Sequence, residues 1–159
     1  MDSDFPSPAH LVAAHLAVVV AVIHLSLGLL NWARWIRAGF LIPPDIRWPL
    51  FVFSGVALFV GLLLAAQGRY RRSLYLGGIA LMVGYVVGYF GWHLGGHRSL
   101  LAFGESTGHH HAPLSRVLFD HLFAGIPEFL AIASEVALAV LLAYLLVAES
   151  RRNRRENSR

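Results

Sequence analysis

An all-α integral membrane bundle of four transmembrane helices is the fold this sequence predicts, and three observations predict it. Hydrophobic residues make up 57% of the 159 positions and charged residues only 14%, against roughly 25% charged in ordinary soluble domains. Four apolar runs each approach the ~20 residues a helix needs to cross hydrocarbon. Aromatic residues gather at the ends of these runs, where amphipathic rings settle at the membrane–water boundary.

The first run spans about 9–30. Asp2 and Asp4 stand where a cleaved leader would carry basic residues, and the apolar stretch is too long for one, so the segment is expected to remain in the mature protein. Trp32, Trp35 and Trp48 flank the connection that follows. Pro43, Pro44, Asp45 and Pro49 end one helix and open the next, placing the second span at about 49–66. Its small residues Ser54, Ala57, Gly61 and Ala65 form a weak packing stripe, and with no ionisable residue in its apolar stretch it reads as scaffold.

The third span, about 74–92, follows a connection flanked by Tyr70 and Tyr75. Gly84, Gly88, Gly91 and Gly95 share one narrow face of it, a seam that lets helix backbones approach closely. That seam would serve a neighbouring helix, a membrane-protein partner or a second copy of the chain. The fourth span, about 126–147, starts at Gly125, Pro127 and Glu128, with proline in the first turn and an acid at the positive end of the helix dipole. Residues 114–124 would then form a separate short interfacial helix. Residues 1–150 read as a single transmembrane domain and 151–159 as a basic cytoplasmic tail.

All thirteen basic residues are arginine. Five lie in the tail and three in the short connection at Arg69, Arg71 and Arg72, a distribution that anchors spans at headgroups rather than pointing to nucleic acid. Arginine density places both termini in the cytoplasm of a multi-pass cell-membrane protein, although Asp2 and Asp4 before the first span and Arg34 and Arg37 after it favour the reverse. The absence of cysteine excludes disulfides, thiolate metal sites and thiol catalysis.

Glu135 is the most informative residue, a carboxyl group deep in the fourth apolar run. A charge there is expensive, so an intramembrane acid marks a proton path, an ion path or a bonded partner. On one continuous helix His121, Glu128 and Glu135, spaced by seven, would share a face. If the helix starts near Gly125, that ladder is broken and Asp120 and His121 belong to the outer surface. His24, within the first apolar run and followed on its face by Gly28 and Asn31, is then the main ionisable companion of Glu135. Counting 1.5 Å per residue brings Tyr85 and Tyr89 to a similar depth, and the group would form a proton relay or mid-membrane polar layer.

With the termini inside, His93, His97, His109, His110, His111, Asp120 and His121 collect at the outer end. His93 and His97 have the i, i+4 spacing that presents two imidazoles on one helix face, and Asp120 and His121 would complete a zinc or copper set. His109 to His111 would capture metal from a loop, although solvation alone accounts for them. A single haem b, with His24 as one axial ligand and His93 or His97 as the other, fits the same residues. A two-haem arrangement does not, because the His10–His24 pair has no counterpart on another span. His15 points away from that face and reads as a lipid-interface residue.

Three functions follow from these patterns. One is a small redox or respiratory-type subunit with an outer histidine site for metal or haem. Another is a proton or divalent-cation carrier or channel using the acidic stripe of the fourth helix. The third is a structural subunit held by the glycine seam. No catalytic motif is present for an enzyme reading.

Overall fold

A computed structural model describes residues 7–68, 71–94, 116 and 125–158. The regular secondary structure of the described residues is all helical, with four helices long and apolar enough to cross a membrane. These are α1 (Pro8–Arg37), α2 (Arg47–Ala66), α3 (Arg71–Leu94) and α4 (Ile126–Asn157). The expected interfacial helix at 114–124 lies almost wholly outside the described residues.

Local chemistry sets the helix ends. Pro8 opens α1, where its missing N–H costs nothing. Gly39, at φ +90°, turns the chain out of α1, and its N–H donates to the Ile36 carbonyl. Gly68, at φ +71°, does the same after α2, donating to Ala65. Both positions need glycine because a Cβ is strained in the left-handed region. Gly125 is extended and precedes α4, with Pro127 in the first turn. His121 therefore precedes the start of the helix that carries Glu135.

Helix α1 has 30 residues, or about 45 Å at 1.5 Å per residue, more than the ~30 Å hydrocarbon core. Its last turns carry Trp32, Arg34, Trp35 and Arg37 out to the boundary. Helix α4 runs on through the arginine-rich segment to Asn157. Hydropathy ends the span at about Val147, but arginine and glutamate are good helix formers, and the i, i+4 pair Arg152–Glu156, at 2.9 Å, supports the extension. The tail is thus a continuation of α4.

The helices pack around a square in chain order. The α1/α2 and α3/α4 contacts are extensive, α1/α4 is intermediate, and α2 touches α3 least. A core of Ala17, Val20, Ala21, Leu58, Met82 and Leu138 fills the centre, while valines and leucines on every helix, with Phe53 and Phe59 of α2 and Phe129 of α4, face outward. In water that outer surface would be a liability; in hydrocarbon it is the expected one.

Glycine makes the tightest crossing. A Cβ on Gly28 would lie 2.7 Å from Val52 Cγ2 and 2.9 Å from the Trp48 carbonyl. One on Gly55 would lie 2.6 Å from Leu25 Cγ and 3.0 Å from the Ala21 carbonyl. Helices α1 and α2 therefore meet backbone to backbone at two reciprocal glycines. The predicted seam lies elsewhere: a Cβ on Gly84, Gly88 or Gly91 meets no described atom within 4 Å. These three face outward from the bundle, and Gly95 lies outside the described residues.

Candidate functional site: a buried histidine–glutamate pair

Among the described residues three polar side chains are buried, His24, Ser54 and Glu135, at 0%, 4% and 3% exposure. They come from three different helices and meet in one network. The Gly28/Gly55 crossing causes the first contact: it brings α1 so close to α2 that His24 Nδ1 lies 2.8 Å from Ser54 Oγ. On the other side of the ring His24 Nε2 lies 2.8 Å from Glu135 Oε1. The Tyr85 hydroxyl donates to Ser54 Oγ at 2.9 Å, reaching from α3 across the bundle. All four helices thus contribute one residue to the chain Glu135–His24–Ser54–Tyr85.

The network lies in one layer, displaced toward the end of the bundle opposite the chain termini. Ser54 is seven residues into α2, Glu135 nine residues into α4 and Tyr85 nine residues before the end of α3, which are depths of roughly 10–14 Å at 1.5 Å per residue. Phe51 closes it on the α2 side. Its ring meets His24 edge-on at 4.9 Å and stacks on Tyr85 at 5.1 Å, and the Tyr85 and His24 ring centroids are 4.4 Å apart. Outward from Phe51 stand Trp48, stacked at 6.2 Å, and the Arg47 guanidinium, 3.8 Å from the Trp92 ring centroid and paired with Asp45. This clamp ties the start of α2 to the end of α3. Toward the termini Leu58, Met82 and Leu138 cover the network as an apolar plug.

Donor and acceptor counts limit where protons sit. Ser54 has one hydroxyl hydrogen, which it donates to the Phe51 carbonyl at 2.9 Å. Its oxygen accepts from Tyr85, and the contact with His24 then requires a hydrogen on Nδ1. Nε2 and Glu135 Oε1 share one further proton, carried either by the acid or by the ring. Glu135 Oε2 is buried without a hydrogen-bond partner. A carboxylate with one bare oxygen in an apolar interior is far costlier than a carboxylic acid with an idle carbonyl, which favours the neutral form of the pair. Both ring nitrogens of His24 are occupied, which leaves none for a metal or haem iron in this arrangement.

Of the other residues singled out from the sequence, Tyr89 stands one turn nearer the end opposite the chain termini, edge-on to Phe90 at 5.5 Å. His93 and Glu128 belong to the last turn of α3 and the first turn of α4. Their side chains, and His97, His109, His110, His111, Asp120 and His121 altogether, lie outside the described residues. Among the described residues no group of three His, Cys, Asp or Glu converges to hold a metal ion. His15 is exposed and bonds to the Leu11 carbonyl of its own helix at 2.7 Å. His10 bridges Ser7 at 2.6 Å and Tyr75 at 3.1 Å near the terminal end.

Sequence reasoning missed Ser54, the hinge of the network, by reading α2 as scaffold. The available signal was that Ser54 is the one hydroxyl-bearing residue between Trp48 and Ala66. No known protein family, curated protein or solved structure matches this chain.

Proposed function

We propose that the chain is a small proton carrier of the cell membrane, with both termini in the cytoplasm, in which the His24–Glu135 pair binds a proton and hands it on. One observation carries the reading: the buried polar side chains of the described bundle form a single network, and its acid is bonded to imidazole through one oxygen while the other is open. Packing alone would be served more cheaply by apolar side chains. An imidazole between an acid and a hydroxyl is suited to the task, because it accepts at one nitrogen while it donates at the other.

The apolar plug on the terminal side favours a carrier over an open channel. Protons reach the network from the outer end, and passage inward requires Leu58, Met82 and Leu138 to move. In liposomes with an imposed pH gradient the parent protein dissipates the gradient and Glu135→Gln falls to the protein-free rate. Equal rates for the two, or no flux with the parent, would contradict the proposal.

The second reading is an outer-face site for zinc, copper or haem b in a redox subunit, supported by the i, i+4 spacing of His93 and His97. Its ligands would come from those residues with Asp120 and His121, since His24 is saturated. Stoichiometric metal or a haem spectrum in the purified protein would support it; neither would count against it. The outward face of Gly84, Gly88 and Gly91 suits a partner helix or a second copy in either reading.

A further inference from the structure

Helices α2 and α3 are joined by a short connection yet make the weakest contact in the bundle. Between them runs a groove of about 570 Å³, within the 300–1,000 Å³ typical of ligand sites. Ala57, Gly61 and Ala65 of α2 face Gly77 of α3 across it, with Ala13, Ala14 and Ala17 of α1 along its floor, while Gly78 is packed against Leu142 of α4. Small residues in membrane helices normally mark close backbone approach. Here the helices stay apart: a Cβ on Gly61 meets only the far end of Leu74, at 3.8 Å, and one on Gly77 meets nothing within 4 Å. The walls are apolar and too poor in polar groups to order water.

One end of the groove is polar. Arg71 and Ser73 line it there, together with the hydrogen-bonded pair His10–Tyr75. The start of α1, the end of α2, the start of α3 and the end of α4 share this end of the bundle. Among the described residues it carries Arg71, Arg72, Arg151, Arg152, Arg154 and Arg155, against the acids Glu149 and Glu156. Glu156 is paired with Arg152, and Glu149, which does not line the groove, lies near the Tyr75 that does.

We propose that this groove is a binding site for an anionic phospholipid, with one acyl chain between α2 and α3 and the phosphate at Arg71. An apolar slot closed at one end by a guanidinium matches an amphiphile with a negative head, and basic pockets between membrane helices bind such headgroups. The site is independent of the proton reading. It lies on the terminal side of the plug formed by Leu58, Met82 and Leu138, and of these Leu58 and Leu138 also line the groove.

Native mass spectrometry of the full-length protein in detergent tests this, with phosphatidylglycerol and phosphatidylcholine of identical chains as probes. The parent should retain phosphatidylglycerol at least tenfold more tightly. Arg71→Gln should abolish that preference while still retaining a chain. Gly61→Leu and Ala57→Leu, which fill the slot from α2, should release both lipids with helicity and monodispersity unchanged. Equal retention of the two lipids by the parent, a preference that survives Arg71→Gln, or lipid retention unchanged in whichever slot-filling variant folds would each overturn the site. So would a dimer in which a second copy fills the groove.

Discussion

Replacing Glu135 by glutamine and by leucine separates the two forms of the buried pair. If the shared proton rests on the acid, Glu135 donates to His24 Nε2 and presents an idle carbonyl at Oε2. Glutamine reproduces both features, since its amide donates to Nε2 and its carbonyl takes the open position. The loss should be below about 1 kcal/mol, in line with the ~0.6 kcal/mol average of hydrogen bonds between membrane helices. Leucine leaves Nε2 as a buried acceptor with no donor, which costs about 1–3 kcal/mol. The greater apolarity of leucine does not offset this, because the unfolded helices also stay in the lipid. Reversible unfolding in mixed micelles, driven by a denaturing detergent, gives both values. Glutamine should be the milder change in stability although it removes proton flux. Glutamine costing as much as leucine would mean that a charge-assisted bond had been lost, and the neutral pair would be refuted.

Three further outcomes follow from the same packing. Ser54→Ala removes the acceptor for both His24 Nδ1–H and Tyr85 O–H and should cost about 1–3 kcal/mol for each orphaned donor, whereas Tyr85→Phe should cost about 1 kcal/mol or less; unfolding midpoints check the order. Gly28→Ala forces a Cβ against backbone atoms of α2 at 2.8 and 2.9 Å and should destabilise by about 1–3 kcal/mol, while Gly84→Ala, with open space beside it, should stay within about 0.5 kcal/mol. Trp92→Leu removes the ring 3.8 Å from Arg47 and should cost about 0.5–2 kcal/mol, read as a lower unfolding midpoint with α-helical content preserved.

The spans and the polar layer were legible for one reason: hydrocarbon makes charge conspicuous. Glu135 lies deep in the fourth run, and His24 lies within the first with Gly28 and Asn31 following on its face; counting 1.5 Å per residue brings the two to one depth. Ser54 was not legible in that way. Serine is common in membrane helices because it can bond to a carbonyl of its own turn, as Ser54 does to Phe51, so its second role depends on which helix lies beside it. The glycines carry a similar lesson. The dense series Gly84, Gly88, Gly91 looks like the seam, yet the closest backbone approach uses the sparse pair Gly28 and Gly55, because the crossing point is set by how four helices share the space. The extent of α4 escaped for a third reason: loss of hydropathy ends a span but does not end a helix.

The Gly28/Gly55 crossing, the bond from His24 to Ser54 and the bond from His24 to Glu135 make one causal chain, in which close backbone packing holds an imidazole between a hydroxyl and an acid. The ring's own protonation reports on that chain most directly. Nitrogen-15 spectra of His24 in the full-length protein in bilayers should show a neutral ring with its hydrogen on Nδ1 and an Nε2 that accepts a hydrogen bond, with the Nε2 signal shifting in Glu135→Gln. A ring protonated on both nitrogens, or on Nε2 alone, would contradict the account.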